Sequence, residues 1–130
     1  MKRLYECIKN KKVNHSQARE IIYRVFLENR DRCMSVSEIK DELSSICSKK
    51  ISINTIYRHL DLFVSCNLVV VIQNDFKKAF YALTDETPLA FTICRKCNRV
   101  KKIVFYQERC EEELESTDFI TIHKICERCS

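Results

Sequence analysis

The stretch Ser52-Ile53-Asn54-Thr55-Ile56-Tyr57-Arg58-His59-Leu60-Asp61-Leu62-Phe63-Val64 decides the fold. Ser52 is an N-cap residue type with Thr55 at the matching third position, and Ile56, Leu60, Phe63 and Val64 recur at helical spacing. The segment reads as a helix running to about Cys66. Its other face carries Asn54, Tyr57, Arg58 and Asp61, which need not be buried.

Working outward, two more helices precede it. One opens at the N-cap Ser16, has Ile21, Ile22, Val25 and Phe26 on its apolar face, and ends near Asn29. The next starts at Ser35 or Ser37, where Glu38 follows Ser35 at capping-box spacing and Ile39, Leu43 and Ile46 form the buried stripe. It stops around Cys47 or Ser48. After the third helix, the β-branched run Leu68 to Ile72, the polar Gln73-Asn74-Asp75 and the alternating Lys77 to Leu83 predict a hairpin. Helix, helix, helix, hairpin is the order of a winged helix-turn-helix, although an ordinary α+β lobe has the same order.

The sole proline, Pro88, lies in the polar stretch Asp85-Glu86-Thr87-Pro88, where the apolar periodicity lapses. It divides the chain into residues 1–85 and 86–130. Beyond it, Leu89 to Ile93, Arg99 to Phe105 and Asp118 to Ile125 read as strands, and Gln107 to Glu115 as a helix. The fold class expected is α+β, a winged helix-turn-helix followed by a small α/β unit. Glycine is absent, so tight turns must use Asn, Asp and Ser.

The net charge of +5 is uneven: residues 1–85 hold 15 Lys and Arg against 10 Asp and Glu, and residues 86–130 hold 8 against 8. A basic half joined to a neutral half points to a polyanionic partner for the first, although a mildly basic solvated surface gives the same count. No run approaches a membrane span and no leader pattern opens the sequence, so a cytoplasmic protein without a membrane partner is expected. Nine cysteines, an odd number, fit a secreted disulfide framework poorly.

Cys94-Arg95-Lys96-Cys97 and Cys126-Glu127-Arg128-Cys129 are two Cys-x-x-Cys knuckles 28 residues apart. Together they supply the four thiolates that a structural, tetrahedral zinc ion takes, with no position left open for water. Arg and Lys beside each knuckle offset the negative charge. Regulatory disulfides or four free thiols are the competing readings. His15 and His59 read as surface or phosphate-adjacent residues, and His123 as a group that could support the zinc ligands from outside.

With these elements placed, Ile53-Asn54-Thr55-Ile56-Tyr57-Arg58-His59-Leu60-Asp61-Leu62 is similar to the Thr-Val-Tyr-Arg-Thr-Leu recognition helix of the ferric uptake regulator family. The four-cysteine pattern and the Glu38-Ile39 helix add to the resemblance, which covers nearly the full length. It implies a homodimeric repressor on inverted-repeat operators in double-stranded DNA, with a DNA-binding domain at 1–85 and a zinc-binding dimerisation domain at 86–130. It also implies that Tyr57 meets a base and Arg58 the backbone, with Asn54 and Thr55 nearby, and that Arg19 reaches phosphate or the minor groove. Neither a small-molecule substrate nor an enzymatic activity is implied.

Members of this family sense metal or peroxide through a second site of histidines and carboxylates, and this chain departs from that pattern. Aligned on Tyr81 and Cys94, Ala82 stands for an acid, Thr87-Pro88-Leu89-Ala90-Phe91 for a His-rich stretch, Cys33 for a His, and Lys102 for another acid. Alkyl and aryl side chains have no lone pair to offer a cation. DNA binding independent of added iron or manganese is therefore expected. Cys33, Cys66 and Cys110 are open to two readings, oxidant sensing or plain packing. A degenerate member acting as a heterodimerisation module is the remaining alternative.

Overall fold

The computed structural model describes residues 2–11, 16–47, 50–84, 89–103 and 119–130. Four helices come first: α1 (Lys2–Lys11), α2 (Gln17–Glu28), α3 (Val36–Ile46) and α4 (Ile53–Ser65). Two small sheets follow, the antiparallel hairpin β1 (Val69–Gln73) with β2 (Ala79–Leu83), and a three-stranded sheet of β3 (Leu89–Cys94), β4 (Val100–Ile103) and β5 (Phe119–Lys124).

The caps act where the sequence places them. The Ser16 side chain accepts from Arg19 N, Ser35 and Glu38 form a reciprocal capping box, and the Ser52 side chain accepts from Thr55 N. Each supplies a partner for a backbone N–H that the first helical turn leaves unpaired. The apolar faces of α2, α3 and α4 then close one core around Ile22, Phe26, Ile39, Leu43, Ile56, Leu60 and Phe63. The Phe63 ring sits edge-on to Tyr23 and Phe26, at centroid distances of 5.5 and 6.4 Å.

The helix α1 has no counterpart in the sequence reading. Leu4 and Cys7 are buried in the same core with Ile8 packed against it. Its other contacts are polar: Arg3 donates to the carbonyls of Thr84 and Asn67, at 2.8 and 3.1 Å. A second departure is a disulfide between Cys7 and Cys66, with a Cα–Cα distance of 5.8 Å, inside the usual range for such bonds. It joins α1 to the C-cap of α4, so Cys66 is neither a free thiol nor plain packing.

The hairpin turn is longer than its strand pattern predicts. The Asn74 side-chain oxygen accepts from the backbone of Phe76 and Lys78, both at 3.0 Å, and β2 begins only at Ala79. Positive φ occurs at Asn67, Lys77 and Asn98, so asparagine takes two of the places glycine would usually fill. Met34 adds a short bridge to the hairpin, exchanging backbone bonds with Tyr81 at 2.8 and 2.7 Å.

In the second sheet β3 is central, antiparallel to β4 and parallel to β5. β4 and β5 lie inside the expected segments, and β3 runs one residue past its expected end, to Cys94. The helix expected over Gln107 to Glu115, with Cys110, falls outside the described residues, as do His15 and the Pro88 boundary. A second core packs Cys33, Val70, Ile72, Phe80 and Ala82 against Leu89, Phe91, Ile93 and Val100, joining the hairpin to the three-stranded sheet. No helix among the described residues is long and apolar enough to cross a membrane.

Candidate functional site

The parallel pairing of β3 with β5 explains how two knuckles distant in sequence meet. Its register sets Cys94 beside Lys124, two residues before Cys126, and Arg95 N donates to Lys124 O at 3.0 Å. Each knuckle then turns tightly, with Asn98 N on Cys94 O at 2.9 Å and Cys129 N on Cys126 O at 3.0 Å. The sulfur atoms of Cys94, Cys97, Cys126 and Cys129 all lie within 4.8 Å of one another.

A tetrahedron with zinc–sulfur bonds of about 2.3 Å has sulfur–sulfur edges of about 3.8 Å. The Cys97 and Cys126 sulfurs stand 3.7 Å apart, so the donor set fits zinc in kind, number and spacing. The backbone N–H groups of Lys96, Cys97 and Cys126 all point at the Cys94 sulfur, each at 3.4 Å. Those from Cys97 and Cys126 do most to lower its pKa to about 5. Cys129 is pushed up to about 12, chiefly by its hydrogen bond with the Cys126 sulfur and by burial. Four sulfurs this close cannot all ionise unaided, and a bound dication resolves that conflict. Arg99, Lys101, Lys124 and Arg128 line a cleft of 260 Å³ that opens onto Cys94 and Cys126, adding positive charge around the sulfurs.

His123 is not one of this group. Its Nδ1 lies 4.0 Å from the Asp75 carboxylate on the hairpin turn.

On α4 the buried face of Ile56, Leu60 and Phe63 leaves Asn54, Tyr57 and Arg58 exposed, while Thr55 is half-buried with its hydroxyl 2.9 Å from that of Ser52. Arg19, on α2, is only 8% exposed. Burial lowers its pKa first, and the positive charge of Arg58 lowers it further. His59 departs from the surface position expected of it: it is 5% exposed, and its pKa is lowered by burial, then by Arg19 and Arg58. Buried Arg19 and His59 thus both feel the positive charge of Arg58, which stands on the exposed face of α4.

The positions that resemblance assigns to a second metal site have a different occupation. Cys33, Ala82, Leu89 and Phe91 belong to the second core. The Cys33 thiol donates to Val100 O at 3.3 Å, and burial raises its pKa to about 11, the opposite of what thiolate chemistry needs. Lys102 donates to two backbone carbonyls, those of Arg30 and Leu83. Two residues went unnoticed in the sequence. Cys7 sits in the Leu4, Cys7, Ile8 spacing that would have revealed α1, and Asn98 looks like an ordinary loop residue.

Solved structures share this architecture. The ferric uptake regulator from Helicobacter pylori, described with three functional metal binding sites, superposes with a TM-score of 0.77 at 22% identity, covering 98% of this chain and 89% of that one. The regulator from Francisella tularensis, solved with iron, gives 0.70 at 25% identity, covering 89% and 93%. A zinc uptake regulator from M. tuberculosis gives 0.51 at 24%, covering 88% and 93%. No curated protein sequence matches. The profile of the ferric uptake regulator family matches residues 10–127, which includes the capped α4, the first cysteine knuckle and Cys126 of the second, and the chain therefore belongs to that family.

Proposed function

We propose that this chain is a DNA-binding transcription regulator, a repressor acting as a homodimer on inverted-repeat operators, with no enzymatic activity and a cytoplasmic location. Residues 1–85 form the DNA-binding domain and residues 86–130 the dimerisation domain, stapled by one structural zinc on Cys94, Cys97, Cys126 and Cys129. The observation that carries the reading is that Arg19, buried on α2, lies within electrostatic reach of Arg58 on a helix face that also exposes Asn54 and Tyr57. Two guanidinium charges held together cost energy that a bound polyanion offsets. In this reading Tyr57 meets a base and Arg58 the DNA backbone, with Asn54 and Thr55 nearby, and Arg19 reaches phosphate or the minor groove. Dimerisation is supported by β5, which flanks β3 and exposes Phe119 and Ile122, with Ile125 exposed just after it.

A gel shift with promoter DNA of the source organism, at two salt concentrations, tests this. Affinity that falls steeply with salt and prefers one site is expected, with the preference lost in Y57A and R58A at unchanged folding. Salt-insensitive or site-indifferent binding refutes it.

The relatives solved with iron, manganese or zinc point to metal control in those proteins. Here Ala82, Leu89 and Phe91 at the corresponding positions offer no ligand atom, the Cys33 thiol is buried with them, and Lys102 carries positive charge, so operator affinity is expected to be unchanged by ferrous or manganous ion once the cysteine site is filled. A second mode of control, through cysteine oxidation, is favoured by the Cys7–Cys66 bond, which ties α1 to the end of α4. It requires operator affinity to differ between reduced and oxidised protein, and that difference to vanish in C7S.

A further inference from the structure

The helical part and the three-stranded sheet meet along a seam whose middle is apolar, with Val70, Ile72, Phe80 and Ala82 against Leu89, Phe91, Ile93 and Val100. Apolar contact is non-directional and resists separation more than sliding. Orientation has to come from directional bonds, and among the described residues the seam has them at the hairpin turn and around Lys102. At the hairpin turn, Asn74 Nδ2 donates to Asn98 O and Asp75 N donates to Asn98 Oδ1, both at 3.1 Å.

The other place is Lys102. Its Nζ, carried on β4, donates to Arg30 O at 2.6 Å and to Leu83 O at 3.3 Å. One acceptor follows α2 and the other ends β2, so a single ammonium from the sheet draws together two separate segments of the helical part. An ammonium is a compact charge with three donors, and charge-assisted bonds of this kind are about twice as strong as neutral ones. Nearby, the Cys33 thiol reaches across to Val100 O.

We propose that Lys102 is a positioning residue: an intramolecular cation that clasps the two parts in one orientation, so that no diffusible cation is needed to set it. The inference rests on the DNA-binding reading and deepens it by naming what positions that site. In a dimer the angle between the two parts fixes the separation of the two α4 faces, and the clasp makes that separation a constant of the chain.

The test uses full-length, zinc-loaded protein: wild type, K102M, K102Q and K102R, with folding checked by circular dichroism and zinc content measured. Small-angle scattering reads the orientation without DNA, and a gel shift reads its consequence. K102M is expected to broaden the interatomic distance distribution and to weaken operator binding at least about ten-fold, the scale of a lost bond to a charged group. K102R restores both. If K102M does not fold, K102Q, a donor without charge, takes its place with the same expectation. A neutral variant that scatters and binds like wild type overturns the clasp, as does K102R that rescues neither readout. If wild type binds no DNA, the functional reading fails, and the scattering comparison still decides the role of Lys102.

Discussion

The sulfurs of Cys97 and Cys126 face each other at 3.7 Å, although one belongs to the turn after β3 and the other to the tail after β5. Backbone pairing of β3 with β5 and the bonds from Cys126 N to the Cys94 sulfur and from Lys96 Nζ to Cys129 O hold these two ends together, and the proposed zinc would add to them. Stripping the metal, or a C97S or C126S substitution, is expected to bring the zinc-to-chain ratio from near one to near zero. Structural zinc contributes enough to folding that the melting temperature should drop by about 10 °C or more. Metal analysis with calorimetry checks both, and a C126S variant that melts like wild type excludes a structural ion there.

The Cys7–Cys66 bond closes a loop spanning 59 residues, and a cross-link of that reach is worth about 2–4 kcal/mol through the unfolded chain. Urea unfolding with and without a thiol reductant should show that loss in wild type. In C7S the reductant should make no difference. Equal sensitivity of both proteins would place the effect at other cysteines.

His59 is buried, and its pKa lies below the ordinary histidine value because of that burial, then because of Arg19 and Arg58. The unfolded chain therefore takes up the proton first as the pH falls below about 6.5, its unperturbed pKa. The stability that comes from keeping this ring neutral is complete above that pH and is lost between it and the lower folded value. Between about pH 7 and 5, wild type should lose more stability than H59Q. Parallel pH profiles for the two proteins would remove His59 as the cause.

Ser35 is 3% exposed, and its hydroxyl accepts from Glu38 N at 3.3 Å while Glu38 answers to Ser35 N at 3.2 Å. Removing that cap in S35A should cost about 1 kcal/mol. Chemical denaturation reads it directly, and a cost near zero would mean that α3 is held by packing alone.

Helices α2, α3 and α4 could be read from sequence because cap, spacing and apolar face agree in each. The knuckles could be read because cysteine pairs have few other uses. The helix α1 escaped because its buried residues are few, Leu4, Cys7 and Ile8, amid charged neighbours, and because what anchors it is tertiary: a bond to Cys66 and an Arg3 contact to Thr84. The burial of His59 has the same origin, since amphipathic spacing does not tell how far a neighbouring helix covers a flank. For Lys102, sequence marks the absence of a carboxylate, whereas its two acceptors are backbone carbonyls of Arg30 and Leu83, which have no signature in the residue string.

Asn98 serves two neighbours at once. In its left-handed conformation it ends the first cysteine turn, through its amide on Cys94 O, and its carbonyl and side-chain oxygen hold the tip of the hairpin. Asn98 follows Cys97 directly, so the first cysteine turn and the strap on the hairpin tip meet in a single residue, which ties the sulfur-bearing turn to a segment distant from it in the chain.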